Sequence, residues 1–276
     1  MKNKVIGILM VLGVISSCKN GEKKDTNSES NNNARIEFTD DKGNKISKEE
    51  LANSTGTYNY EVYGIGEVSE LAKSLHNQAR IFGQNGDYQN AIQKLEQANK
   101  EAPNWAYPLY DLAYTYLLQD DYENALKYYQ LTDKIAPNGF YTSKIALHTL
   151  EREKAGDLKQ GLYKSYLSLE WIDNQAEKKE MIKLLVDNFP SFAPAWKDYS
   201  SLLENEERLS AIEKGLEQNP DIQTKGSLLI NKALVISENG ELQNASKILT
   251  QIIFDSNSTF GNVEMAKFVL NDVLKK

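Results

Sequence analysis

Cysteine is almost absent from this chain: Cys18 is the single one among 276 residues. With one thiol, neither an intramolecular disulfide nor a thiolate metal cluster can form. Histidine is nearly as scarce, with only His76 and His148. Two histidines fall short of the four ligands of a structural zinc site unless carboxylates join them, and the spacing specifies none. Positive charge is in the minority, with 32 Lys and Arg against 39 Asp and Glu and a formal net charge of −7. No clustered Lys and Arg of the kind that neutralises phosphates occurs, so a nucleic-acid partner is not expected. HExxH, GxSxG and phosphate-cradling glycine loops are missing too. Gly64-Ile65-Gly66 lacks the third glycine and the basic residue such a loop needs. The acidic pairs Asp120-Asp121 and Glu206-Glu207 read as solvated charge at helix ends and turns. The expectation is a non-enzymatic chain with no catalytic residues, no cofactor and no metal.

What is present divides the chain in four. Lys2 and Lys4 open a first segment whose apolar run, Val5 to Ile15, covers eleven residues. A bilayer-spanning helix needs about 20, but a signal-peptide core is this short. Ser16 and Ser17 then lead into Cys18, and Ile15-Ser16-Ser17-Cys18 resembles the lipobox of bacterial lipoproteins. That resemblance implies that residues 1–17 are a signal peptide cut off before Cys18, and that Cys18 carries the acyl chains (palmitate-type lipid). It also implies that the rest of the chain lies outside the cytoplasm. Two or three acyl chains anchor a protein stably where one does not. Lys19, not Asp, follows the cysteine, and this resemblance implies the bacterial outer membrane within the cell envelope. The alternative is an ordinary signal peptide or membrane anchor with an incidental cysteine. Residues 18–34 then form a lipidated cysteine and a polar, Asn-rich tether without aromatics. Such a segment buries too little apolar surface to fold, and has a reach of about 20–25 Å as a flexible coil.

Residues 35–70 differ in kind. Ile36 and Phe38, and later Tyr58, Tyr60 and Val62, alternate with polar residues. Asp41 to Asn44 is a turn signal, and Ser47-x-x-Glu50 has the form of a helix capping box. The expectation is a small strand-bearing lead-in, a hairpin plus a short helix, packed on the start of the next segment.

Within residues 71–276, residues 72–105 and 106–139 can be laid over each other at a spacing of 34. Leu75, Ala79, Phe82, Gly86-Asp87-Tyr88, Ala91, Leu95, Ala98 and Pro103 lie over Leu109, Ala113, Tyr116, Asp120-Asp121-Tyr122, Ala125, Tyr129, Thr132 and Pro137. A third match runs from Leu229, Ala233 and Ile236 through Gly240-Glu241-Leu242 to Ala245, Leu249 and Ile252. Small residues let two helices approach, Gly-Asp breaks the hairpin, and proline ends the second helix. This resembles the tetratricopeptide repeat (TPR), and it implies an all-α fold, a helix-turn-helix solenoid of stacked pairs. Between the matches, residues 140–222 read as two degenerate units. Gly156-Asp157-Leu158 is a turn there, Trp196 opens a helix, and Asn219-Pro220 closes another. An amphipathic stretch from Val263 to Leu274 is expected to cap the array.

The resemblance also implies a binding face, because the first helix of each repeat lines the concave side. Its inward slots fall on Lys73, His76, Arg80 and Gln84 in the first repeat, and on Tyr107, Tyr110 and Tyr114 in the second. In the third they fall on Tyr141, Lys144, His148 and Arg152. Spacings of three and four place the tyrosines on one helical stripe. Tyrosines between two weakly basic walls suit an extended peptide with acidic side chains. Alternatively, the tyrosines pack on the neighbouring helix or on the chain's own end. The Asn and Lys set of repeats that clamp chaperone tails is not reproduced. The expected function is a lipid-anchored scaffold binding a protein or peptide partner at the envelope. A ligand-binding or accessory lipoprotein of an envelope transport system is the alternative.

Overall fold

The computed structural model describes residues 35–39, 45–46, 59–63 and 68–274. The signal segment, Cys18, the tether, the Asp41–Asn44 turn and the Ser47–Glu50 box lie outside the described residues. Three short strands come first: β1 (Arg35–Thr39), β2 (Lys45–Ile46) and β3 (Asn59–Tyr63). β1 lies between the other two and runs antiparallel to both, pairing Ile36 with Val62 and Phe38 with both Tyr60 and Ile46.

From residue 70 onward the described chain is helical. The first two pairs are α1 (Glu70–Gln84) with α2 (Tyr88–Glu101), and α3 (Ala106–Leu118) with α4 (Tyr122–Ile135). The 34-residue period is repeated down to single hydrogen bonds. Asp87 caps α2 by accepting the Asn90 amide at 3.3 Å and the Asn90 side-chain amide at 2.7 Å. Asp121 does the same for Asn124 at 3.0 and 2.7 Å. Gly86 makes the turn between α1 and α2 with φ +75°. In the next unit Asp120 takes that slot at φ +62°, a conformation short acidic side chains tolerate better than most. Its carboxylate is held there by Lys164 Nζ at 2.7 Å and the Tyr122 hydroxyl at 2.8 Å. Ala72, Ala79, Ala91, Ala98, Ala113 and Ala125 are all buried, so the helices of a pair approach closely. Leu95, Leu109 and Leu112 then join α2 to α3 in one core.

The third unit departs from the period. Tyr141 has φ +46°, which an aromatic residue adopts only when neighbours hold it. α5 (Ser143–Ala155) therefore starts late, and Tyr141 lies in the turn before it rather than on its inner face. Gly156 ends α5 in the left-handed region, but the partner helix does not begin at Leu158. It begins at Leu162, as α6 (Leu162–Leu167), and passes into a 3-10 turn over Ser168–Trp171. The delay has a local cause. The buried Glu153 carboxylate reaches across the loop and accepts the amides of Gly161 at 2.9 Å and Tyr163 at 2.7 Å, which fixes where α6 can start.

The middle of the chain is not simply two degenerate units. Asn174 caps an extra helix, α7 (Gln175–Asn188), before the next pair, α8 (Ala193–Ser200) and α9 (Asn205–Glu217). α8 starts at Ala193 with Pro194 in its first turn, ahead of Trp196, because proline's fixed φ suits that position. The last pair is α10 (Ile222–Glu238) and α11 (Leu242–Phe254). α12 (Phe260–Leu274) packs on both through Ala266, Val269 and Val273. Gly226 permits this approach. A Cβ there would lie 2.0 Å from Asn262 Nδ2, which instead donates to the Gln223 carbonyl at 2.9 Å.

Beyond the extra helix the array comes back against the third unit. α5 touches α10, the first helix of the last pair. The Phe260 amide donates to the Asn138 carbonyl at 3.0 Å. His148 Nε2 sits 2.9 Å from the Asn219 carbonyl, and Arg152 donates to the Ser191 carbonyl at 3.0 Å. At the third unit the inner side is therefore covered by the chain's own later half.

Candidate partner-binding face

The tyrosine stripe lies on α3, as its spacing implies, but its members are used differently. The Tyr107 hydroxyl is 2.6 Å from that of Tyr141, and its ring meets Phe140 edge-on at 4.9 Å. The Tyr110 hydroxyl bonds Thr142 Oγ1 at 2.7 Å, and burial pushes it well above the usual tyrosine range. Both therefore pack against the turn of residues 140–142 in the next unit, and this contact holds Tyr141 in its strained conformation. Tyr114 is half-buried. Burial raises its hydroxyl, and the Glu170 charge adds to the rise.

The basic residues are largely committed within the fold. His76 is only 5% exposed. Its Nε2 lies 2.7 Å from Asp111 Oδ2, and its ring meets Trp105 edge-on at 4.9 Å. Lys144 pairs with Asp133 of α4, His148 faces the Asn219 carbonyl and Arg152 holds Ser191. Lys73 is exposed and bridges to Glu70 at 2.8 Å within its own helix. Arg80 is half-buried and has no hydrogen-bond or ion-pair partner among the described residues. The two basic walls expected beside the tyrosines are thus reduced to Lys73 and Arg80.

The face has members that the repeat slots do not mark. The 3-10 turn after α6 carries Glu170, whose charge reaches Tyr114, and next to it Trp171. Trp171 is 70% exposed, an unusual position for an indole. Glu170 keeps solvent on one side, while burial on the other pushes its carboxyl up against the downward pull of Lys178 and Lys197. Beside it, Tyr166 donates to Asp198 Oδ2 at 2.6 Å, and Lys197 bridges to Asp198 Oδ1 at 2.9 Å. Among the described residues no three His, Cys, Asp or Glu side chains group to hold a metal ion. No helix among them is long and apolar enough to cross a membrane.

Several solved structures resemble the chain at low similarity. A structure of MamA, residues 41 to the end, from Desulfovibrio magneticus RS-1 shares 16% identity over 67% of this chain and 94% of its own, with a TM-score of 0.32. A thermophilic TPR protein of Thermus thermophilus shares 16% over 72% of this chain and 98% of its own, at 0.30. The TPR2AB domain of yeast Sti1, in its pHSP90 complex, shares 14% over 73% of this chain and 86% of its own, also at 0.30. Scores this low carry neither the overall path nor a function. No curated protein matches the chain. The tetratricopeptide repeat family profile matches residues 84–143, the stretch from the end of α1 through α4 to the start of α5.

Proposed function

We propose that this chain is a protein-interaction scaffold, held at a bacterial envelope membrane by lipidated Cys18 and a polar tether, with a small strand-bearing lead-in before the array. Its partner, a protein or peptide segment, lies along α1 and α3 and ends at the 3-10 turn. Tyr107 and Tyr110 supply the floor, Lys73 and Arg80 one rim, and Tyr114 and Trp171 the other. His76, Lys144 and His148 hold the fold instead of the partner.

The observation that carries this reading is Trp171, 70% exposed on the 3-10 turn whose Glu170 charge reaches Tyr114. A large aromatic at a surface offers contact area with few rotatable bonds to order, which is how interface hot spots are built. Short stacked pairs in 84–143 are also consistent with a scaffold.

Two experiments test it. A photo-crosslinking amino acid at position 171, introduced into the intact cells that make the protein, should give a discrete adduct. The same group at Glu101, exposed at the end of α2, should not; equal labelling at both sites would remove the assignment of the face. Metabolic labelling with an alkyne fatty acid should mark the parent and not Cys18→Ser. A labelled Cys18→Ser protein would remove the anchor.

A further inference from the structure

We infer that the groove between the α3–α4 turn, the start of α6 and the end of α7 binds a small carboxylic acid with an apolar body. This site is separate from the partner-binding face: none of Tyr107, Tyr110 and Tyr114 lines it.

Its walls come from three stretches distant in sequence. Asp120 and Tyr122 supply one, Lys159 and Lys164 the second, and Leu185 and Phe189 the third, around a volume of about 410 Å³. Small-molecule sites commonly enclose about 300–1,000 Å³. Gly161 lets the first two walls come together. A Cβ there would lie 3.1 Å from the Tyr122 hydroxyl, and its φ of +84° suits glycine.

Asp120 is the first ground. It holds the hairpin-turn slot that glycine fills in the first pair and in the last, Gly86 at φ +75° and Gly240 at φ +87°. A side chain at φ +62° is strained. The strain is not needed for a helix cap, because Asp121 caps α4. Instead Asp120 Oδ1 accepts from Lys164 Nζ at 2.7 Å and from the Tyr122 hydroxyl at 2.8 Å. Lys164 Nζ also donates to the Leu118 carbonyl at 2.9 Å. One lysine and one tyrosine are thereby fixed on the groove wall, and backbone strain of this kind clusters at ligand sites.

Charge is the second ground. Lys164 answers Asp120 and keeps one of its three donors in hand. Lys159 is exposed and makes no hydrogen bond or ion pair among the described residues. The groove thus carries two ammoniums against one carboxylate, in a chain whose net charge is −7. Opposite them Leu185 and Phe189 are half-buried and offer an apolar side. An acid matches both: its carboxylate meets Lys159 and the remaining donor of Lys164, and its body covers Leu185 and Phe189. A neutral molecule of the same shape leaves Lys159 unpaired, and an amine is repelled.

The test titrates hydrocinnamate, isocaproate and hexanoate into the isotope-labelled full chain and follows its amide chemical shifts. At least one acid should give saturable shifts centred on Lys159 to Ser165 and Phe189. The matching primary amide should bind about three- to fivefold more weakly, the scale of an exposed ion pair, and the matching amine more weakly still. Lys159→Gln should bring the acid down to the affinity of its amide and leave the amide unchanged, and Lys159→Arg should keep the preference. Lys179→Gln, exposed on α7 away from the groove, should change neither. Unchanged unfolding midpoints exclude misfolding as the cause. Equal affinity for acid and amide overturns the inference, as do saturable shifts centred elsewhere. So does an effect of Lys159→Gln no larger than that of Lys179→Gln, or failure of all three acids to saturate. None of these outcomes bears on Trp171 or the protein partner.

Discussion

His76 Nε2 and Asp111 Oδ2 stand 2.7 Å apart, and through them the middle of α1 is bonded to the middle of α3. In the repeat register His76 occupies a slot meant for ligands. Here it is enclosed by the edges of Trp105 and Tyr107 and serves the joint between units. His76→Ala should therefore cost about 2–4 kcal/mol, from a lost buried ring and a carboxylate left without its partner. Urea unfolding of the full chain measures this. A loss below about 0.5 kcal/mol, the usual surface value, would show that the ring is not a structural link.

Two glycines in helices should respond in opposite directions to alanine. At Gly83 an added Cβ meets nothing within 4 Å, so Gly83→Ala should stabilise α1 by about 0.5–1 kcal/mol. At Gly226 it would collide with the Asn262 amide, and Gly226→Ala should destabilise by about 1–3 kcal/mol through overpacking. Thermal midpoints of the pair decide the matter. Matching signs would remove the close α10–α12 contact.

Glu153→Ala leaves the amides of Gly161 and Tyr163 without their acceptor. We expect a loss of about 2–4 kcal/mol and faster amide exchange at the start of α6. Exchange there unchanged from the parent would mean that the loop holds its shape by other means.

Glu170 gives a dependence on pH. Burial holds its carboxyl above the ordinary glutamate value when folded, so the folded chain binds that proton more tightly than the unfolded one. The resulting stability is fully present below the ordinary value and is lost as pH rises through the raised one. Glu170→Gln has no such loss. Relative to the parent it should gain stability as pH rises toward neutral and show no gain at the acid end. Parallel stability curves for the two proteins would refute the assignment.

Much of the array is legible in the sequence because the helix pairs are decided locally. Asp87 and Asp121 each cap from one slot, and alanines recur where helices touch. The strongest register, residues 72–139, spans nearly all of the segment that matches the repeat family. The middle of the chain is not legible in this way, since its shape depends on contacts between distant residues. Glu153 sets the start of α6 from across a loop, and the bend toward α10 rests on backbone carbonyls that no pattern of side chains reveals. The stripe Tyr107, Tyr110 and Tyr114 follows from spacing alone. Its neighbours Glu170 and Trp171 belong to a short 3-10 turn outside any repeat slot. A tryptophan directly after a glutamate, at the end of the run Leu167-Ser168-Leu169, was the available signal.

The junction of the Phe260 amide with the Asn138 carbonyl changes how such a chain can come apart. In an open solenoid each unit touches only its neighbours, so the ends can fray one repeat at a time. Here a second bond, from the Asn138 side chain to the Ser256 carbonyl, spans 118 positions of sequence at 3.4 Å. Closing so long a loop costs only slightly more entropy than closing a short one. Once closed, the loop makes the loss of α12 also a loss for α5. The helices from α5 to α12 are therefore expected to unfold together, and a backbone nick between Asn138 and Ser256 should leave two fragments that stay associated in gel filtration.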